Sequence, residues 1–230
     1  MKALFIGNSA TYVHDIPGTL RRLAGAAGYP FETSQLTPGG YELAQHADTA
    51  TEHGQRVFEE IGCGYDVVFL QDNGNCVSTD EKRARCREAS RRLIGAVRAS
   101  GAKPYFYVRP PYGKIASGRD AAAQCEAFDA LFGGIAREEG IDCVYANRAF
   151  AYAIRHLDYP LWGDDNAHTS VYGAYLIVCT FFATLFGTSA TVLESVDGIS
   201  PDDARVLQQA ADRIVLGGAE PFGTKYCQNV

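Results

Sequence analysis

The stretch Asp66–Gln71 reads DVVFLQ and is the clearest strand signature in the chain. Its middle is continuously apolar and polar residues bound it on both sides, which is typical of a strand buried on both faces of a parallel sheet. Four further segments are predicted to be strands: Lys2–Gly7, Phe31–Leu36, Lys103–Val108 and Ile141–Tyr145. The sequence therefore predicts a sheet of about five parallel strands.

Segments with helical spacing separate or follow these strands: Ile16–Ala27, Leu43–Ile61, Glu81–Ser100, Ala121–Glu139, Val171–Phe186 and Pro201–Leu216. Strands that alternate with helices require crossover connections, which place helices on both faces of the sheet. The predicted architecture is a three-layer α/β/α sandwich of flavodoxin-like type. Because no repeat, linker or change of composition interrupts the chain, we predict a single domain over residues 1–230.

Composition and charge exclude several classes of protein. The chain has 230 residues, of which 47% are hydrophobic and 21% charged, and its formal net charge is −6. Binding to the phosphates of nucleic acid needs a basic surface, so a nucleic-acid partner is not expected. No apolar run reaches the roughly 18 residues of a membrane-spanning helix, so no membrane partner is expected. The composition leaves the oligomeric state open.

The location of the protein is inferred from its cysteines and its N-terminal residues. The seven cysteines form no CxxC pair, which favours reduced thiols over a disulfide framework or a zinc site. No signal-peptide pattern follows Lys2. We therefore expect a cytoplasmic protein, unless a signal peptide has been removed.

Small polar residues follow the first three predicted strands. Gly7-Asn8-Ser9 follows the first, Gly39-Gly40 the second, and the segment 71–75 (QDNGN) the third. Parallel strands end at one edge of their sheet, and sites form there where the strand order reverses. Taken singly, each motif also fits an ordinary turn, because Asn, Ser, Pro-Gly and Asn-Gly are common turn residues.

Asp165 and His168 lie three residues apart, shortly before the apolar helical segment Val171–Phe186. In a tight turn this spacing lets a carboxylate hold an imidazole N–H and thereby fix the tautomer of the histidine. The same segment also suits the start of a helix, because Asp, Thr and Ser are common capping residues.

Taken together, and in this order, the motifs resemble those of the SGNH hydrolase superfamily, the GDSL-type esterases and lipases. The similarity is greatest to a bacterial branch in which Gly-Asn-Ser replaces Gly-Asp-Ser, and it spans about residues 2–186. The resemblance implies that Ser9 is the nucleophile, His168 the general base and Asp165 its orienting carboxylate. It also implies an oxyanion hole that contains the backbone N–H groups of Ser9 and Gly40.

The third motif of this family, usually Gly-x-Asn-Asp, is altered in this chain. Counting from Asp66 puts the family asparagine on Asn75, with Asn73 in place of the usual glycine and Cys76 in place of the usual aspartate. We therefore expect Asn75 to be the side-chain donor of the oxyanion hole, with Asn73 as the alternative.

The resemblance implies a serine hydrolase that cleaves a carboxylic ester through an acyl-enzyme, with no metal or organic cofactor. The expected substrate is a small-molecule or carbohydrate ester with a short acyl group, such as an O-acetylated sugar. The altered third motif favours a different class of function, a catalytically inactive carbohydrate-binding or scaffold protein that retains the fold. The joint presence of Ser9, Asp165 and His168 favours the enzyme.

Four further side chains are candidates for a role in the site or in its surroundings. His46 and His53 are seven residues apart in a helical segment, and we predict that they are exposed rather than metal ligands. Arg109 and Tyr112 follow the fourth strand at the edge that carries the motifs. They are interpreted equally well as substrate contacts or as parts of a rigid loop around Pro110-Pro111.

Overall fold

A computed structural model describes residues 1–113 and 121–217 of the chain. The five strands are β1 (Lys2–Ile6), β2 (Glu32–Leu36), β3 (Val67–Leu70), β4 (Lys103–Val108) and β5 (Asp142–Tyr145). The helices are α1 (Ser9–Tyr12), α2 (Ile16–Ala26), α3 (Leu43–His46), α4 (Glu52–Ile61), α5 (Asp80–Ala99), α6 (Ala121–Glu139), α7 (Ala146–His156), α8 (Val171–Phe186) and α9 (Pro201–Val215). Three short 3-10 turns cover Val13–Asp15, Gly74–Val77 and Ala190–Val192.

The five strands form one parallel sheet with the order β2-β1-β3-β4-β5. This is the flavodoxin-like order, and its direction reverses next to β1. Ile6 at the end of β1 pairs with Leu36 of β2 and with Leu70 of β3. The turns that follow these three strands therefore start at the same level of the sheet.

Each face of the sheet is covered by its own layer of helices. Phe5, Phe69 and Tyr107 project from one face into a core that also contains buried residues of α2, α7, α8 and α9. Leu4 and Phe106 project from the other face into a core shared with α3, α4, α5 and α6. The three-layer α/β/α sandwich predicted from the sequence is confirmed.

One predicted helix is wrong in its extent. The segment Leu43–Ile61 forms two helices, α3 and α4, because the chain leaves the helical path after His46 and Thr51 caps a new helix. A side chain at Gly54 would place its Cβ 1.9 Å from the carbonyl oxygen of Asp48, so this corner depends on glycine. Helix α7, which starts directly after β5, was not predicted.

None of the six cysteines among the described residues forms a disulfide, and only Cys63 of these is exposed. Within residues 1–113 and 121–217, no helix is long and apolar enough to span a bilayer.

Phe181 of α8 holds the helical layer against the sheet. Its ring lies 5.5, 5.0 and 4.9 Å, centroid to centroid, from those of Phe5, Phe69 and Tyr107. We expect Phe181→Ala to lower the free energy of unfolding by about 3–5 kcal/mol, because it removes a buried ring and leaves a cavity. Urea unfolding measures this loss. Ile154→Ala, on an exposed residue of α7, is the control and should cost less than about 1 kcal/mol; equal losses would contradict the proposed packing role.

Candidate active site

Ser9 lies at the turn that follows β1. Asn8 caps helix α1 by accepting a hydrogen bond from Ala10 N–H, and Ser9 is the first residue of that helix. A side chain at Gly7 would place its Cβ 2.5 Å from Oε1 of Gln71, so the turn approaches β3 too closely for any residue but glycine. The same Gln71 oxygen accepts hydrogen bonds from Asn8 N–H (2.9 Å) and from the Thr11 hydroxyl (3.0 Å). The turn is therefore fixed against the end of the neighbouring strand.

Asp165 and His168 lie in the loop between α7 and α8, which an antiparallel bridge between Trp162 and Thr169 closes. Oδ1 of Asp165 accepts hydrogen bonds from the N–H groups of Ala167 and His168, both at 2.9 Å. Oδ2 accepts one from Nδ1 of His168 at 2.6 Å. These bonds, the backbone bond from His168 first, hold the pKa of Asp165 well below its ordinary value. The carboxylate, which is half exposed, therefore stays ionised.

His168 connects this loop to the turn after β1 that carries Ser9. Its Nε2 lies 2.9 Å from Oγ of Ser9. Because the ionised Asp165 accepts a hydrogen bond from Nδ1–H, Nε2 of a neutral His168 is an acceptor that faces the Ser9 hydroxyl. The three side chains for which the resemblance implied a catalytic role thus form one hydrogen-bonded chain. Such a chain can remove a proton from the serine hydroxyl.

The opposite side of Ser9 is bounded by the turn after β2, where Gly40 has a positive φ of 74°. Asn8 Nδ2 donates to the carbonyl oxygen of Tyr41 (2.8 Å), and Asn73 Nδ2 donates to that of Gly40 (3.0 Å). Asparagine side chains therefore attach the turn after β2 to the turns after β1 and β3.

Residue counting favoured Asn75 as the amide donor, but the structure brings Asn73 to Gly40. The chain turns away immediately after β3, and Oδ1 of Asn73 caps the following 3-10 turn by accepting from Asn75 N–H. Asn75 lies inside that turn and its side chain is exposed. Of the two asparagines, Asn73 is therefore the one that contacts the turn carrying Gly40.

Asp72 is a buried carboxylate that positions Asn73. Its Oδ1 accepts hydrogen bonds from Asn73 N–H (2.6 Å) and from Leu43 N–H at the start of α3 (3.0 Å). Asp72 also forms, with Cys76 and Cys86, a buried group whose possible metal-ligand atoms lie within 4.8 Å of one another. Because two backbone N–H groups already satisfy the carboxylate, its burial does not require a metal ion.

A small cleft opens beside Ser9 and His168, with a volume of about 260 Å³ that includes its open mouth. Most of its walls are small or apolar; the lining residues are Ser9, Ala10, Val13, Arg109, Pro110, Pro111, Ala167, His168 and Thr169. Arg109 is buried, donates from Nε to the Pro110 carbonyl (3.0 Å), and lies 4.2 Å from the Tyr112 ring centroid. Arg109 therefore lines the cleft, where a substrate would bind, and also stabilises its own loop through Pro110 and Tyr112.

Two histidines form hydrogen bonds near the site with residues that are distant in sequence. His14 has a left-handed backbone (φ 59°) and donates from Nε2 to the carbonyl oxygen of Thr169 at 2.8 Å, next to His168. The prediction that His46 is exposed is wrong: His46 is fully buried and its Nε2 lies 2.9 Å from the Gly7 carbonyl oxygen. Thr169 lies 155 residues from His14, and Gly7 lies 39 residues from His46, so no local pattern in the sequence indicates these contacts.

Comparisons with known proteins define the class of fold. No family model matches the chain, and no curated protein matches it. Among solved structures, a candidate SGNH hydrolase from Slackia heliotrinireducens is 22% identical with a TM-score of 0.68, over 79% of this chain and 96% of that one. The chain therefore has the fold of the SGNH hydrolase superfamily, which the sequence motifs predicted.

Two further structures share this fold. A DUF4886 family protein from Bacteroides uniformis is 17% identical with a TM-score of 0.80, over 94% of this chain and 95% of that one. An acetylxylan esterase from Geobacillus stearothermophilus is 18% identical with a TM-score of 0.59, over 79% of this chain and 92% of that one. At these identities the likeness establishes the architecture and leaves the chemistry to the site itself.

Asp72 should make stability depend on pH. Burial raises its pKa from the ordinary 3.8 to about 6, so between these values the folded state holds a proton that the unfolded state has lost. The contribution of Asp72 to the free energy of unfolding therefore falls as the pH rises from about 4 to about 6 and is constant above that. In Asp72→Asn, whose amide oxygen can still accept both N–H bonds, this dependence should be absent. Urea unfolding of both proteins from pH 4 to 8 measures it, and parallel curves would contradict the raised pKa.

Proposed function

We propose that the protein is a serine hydrolase that cleaves carboxylic esters. The observation that carries this proposal is the hydrogen-bonded chain from Asp165 through His168 to Ser9, which opens onto the cleft. A binding protein would have no need for a carboxylate that fixes the tautomer of a histidine directed at a serine hydroxyl. The proposed catalytic unit is the whole chain, residues 1–230, acting as one domain.

In the proposed reaction, Oγ of Ser9 attacks the ester carbonyl while Nε2 of His168 accepts its proton. The resulting imidazolium is stabilised by the ionised Asp165 and then protonates the leaving alcohol. Water enters, loses a proton to His168 and attacks the acyl-enzyme, which releases the acid and restores Ser9. The sequence of steps uses no metal or organic cofactor.

The developing oxyanion needs donors on the side of Ser9 that faces away from His168, and three are proposed. Ser9 is the first residue of α1, so its backbone N–H has no partner within the helix. Gly40 offers a second backbone N–H from the adjacent turn. Asn73 spends one N–H of its amide on the Gly40 carbonyl, which leaves the other for the oxyanion. A single donor of this kind lowers the barrier by roughly 3 kcal/mol.

The proposed substrate is an ester with a short acyl group, such as an O-acetylated carbohydrate. The cleft at Ser9 is small and largely apolar, and its proline walls and Val13 suit an acyl chain of a few carbons. The shared fold with an acetylxylan esterase supports a carbohydrate alcohol at the level of analogy.

A fluorophosphonate probe tests the nucleophile. The probe reacts with an activated serine, so we expect it to label the wild-type protein at Ser9, and Ser9→Ala to lose both labelling and nearly all hydrolysis of p-nitrophenyl acetate. Ser195→Ala is the matched control, because Ser195 lies outside the site. Intact-mass spectrometry gives the labelling, and circular dichroism checks the fold. A wild-type protein that resists the probe would support the inactive carbohydrate-binding protein instead.

The two asparagines should differ in their kinetics. Asn73→Ala removes the proposed oxyanion donor, so kcat should fall by about 10²-fold with little change in KM. Asn75→Ala, two residues along the same turn, is the control and should keep kcat within about threefold. Thermal unfolding of both variants separates loss of the Asn73 cap from loss of the donor. If Asn75→Ala is the slow variant, the donor is Asn75, as residue counting predicted.

A further inference from the structure

Two histidines form a chain behind the nucleophile turn, on the side away from the cleft. His46, the last residue of α3, has no exposed surface, and its Nε2 lies 2.9 Å from the carbonyl oxygen of Gly7. His53 of α4 is half-buried, and its Nε2 lies 2.9 Å from Nδ1 of His46. The chain therefore runs from the surface of α4 to the residue two positions before Ser9.

Donors and acceptors in this chain can be assigned from its chemistry. A carbonyl oxygen only accepts, so Nε2 of His46 carries a proton and donates it to Gly7. Nδ1 of a neutral His46 then has no proton and accepts, which requires His53 to donate from its own Nε2. The Gly7 carbonyl and His53 thus favour the same tautomer of His46, and that tautomer holds Gly7.

Burial keeps the inner histidine neutral. Burial first and the neighbouring His53 second lower the pKa of His46, which falls from 6.5 to about 4. Burial also lowers the pKa of His53, with a second contribution from Arg56. A neutral His46 has one donor and one acceptor, and both are used within the chain.

The histidines also contact the turn that carries Gly40. The ring of Tyr41 lies 5.5 Å from that of His46 and 4.9 Å from that of His53, centroid to centroid. The Tyr41 carbonyl in turn accepts the hydrogen bond from Asn8 Nδ2. The pair therefore supports the two turns between which the oxyanion is proposed to lie.

We propose that His46 and His53 are positioning residues of the active site. Through Gly7 and Tyr41 they fix the Ser9 hydroxyl and N–H relative to His168 and Gly40, without touching the substrate. This inference rests on the proposed hydrolase function, because positioning has a kinetic consequence only if Ser9 reacts. A small displacement of a nucleophile is costly, since reacting atoms must be aligned within a fraction of an ångström.

Matched amide substitutions test the inner histidine. The amide nitrogen of glutamine reaches the position of Nε2 of histidine, whereas that of asparagine reaches only the position of Nδ1. His46→Asn should therefore lose the bond to Gly7, and we expect kcat to fall about tenfold or more with KM within about twofold. His46→Gln should recover most of that loss. Equal kcat values for His46→Asn and wild type, or equal losses in both variants, would overturn the positioning role.

The outer histidine is tested with the same logic. His53→Leu removes the donor to Nδ1 and leaves that buried acceptor unpaired, so the Nε2–H tautomer of His46 is less favoured, and kcat should fall toward that of His46→Asn. His53→Gln keeps a donor near Nε2 and should recover most of the activity. A His53→Leu variant as fast as wild type would show that His53 does not select the tautomer of His46.

Nitrogen-15 NMR of the wild-type histidines reads the tautomer independently of activity. We expect His46 as the neutral Nε2–H form from pH 5.5 to 8, and a change in its ring-nitrogen shifts in His53→Leu. A wild-type His46 that is charged or carries its proton on Nδ1 would overturn the inference even if the variants fail to fold. A wild-type protein that the fluorophosphonate probe does not label overturns the proposed function. A labelled wild type with an unaffected His46→Asn overturns the positioning role alone.

Discussion

The pairing of β1 with β3 is the constraint on which the candidate site depends. Because Ile6 and Leu70 lie opposite each other, both strands end at one level and their following turns must pack side by side. Gly7 makes this approach possible, and the Gln71 side chain fills the remaining gap with hydrogen bonds to Asn8 and Thr11. The Gln71 side chain at the end of β3 therefore fixes the turn that carries Ser9 independently of any contact from His168.

The second half of the site is attached to this edge from a distant part of the chain. Ser9 and His168 are 159 residues apart in sequence, and the packing of α8 against the sheet brings them together. The loop before α8 is itself closed by the Trp162–Thr169 bridge, and Nε1 of Trp162 donates to the Pro111 carbonyl. The bridge and the Trp162 hydrogen bond thus hold the loop in one conformation, and the proposed triad requires such fixed geometry.

The sequence predicted what local patterns determine and missed what tertiary contacts determine. Apolar runs between polar residues identified the five strands, and the spacing of Asp165 and His168 indicated their mutual contact, since both signals lie within a few residues. The register of Asn73 depends on where β3 ends and on the cap that Asn73 forms, which residue counting cannot show. His46 was predicted to be exposed because it lies in a helical segment with no third possible metal ligand nearby in sequence, yet α3 ends at this residue and its ring is buried against Gly7.

Charge is distributed unequally around Ser9, and this distribution bears on which neighbouring atom can accept the proton of the Ser9 hydroxyl. The ionised Asp165 lies at the front of the site, half exposed, with N–H groups on both of its oxygens. The groups behind the turn, Gln71 and His46, are neutral and spend their acceptor atoms on other donors. Within the described residues, Nε2 of His168 is the one acceptor in hydrogen-bond contact with Oγ of Ser9. In the proposed reaction, the neutral groups behind Ser9 and the charged Asp165 in front of it therefore favour proton transfer from Ser9 to His168.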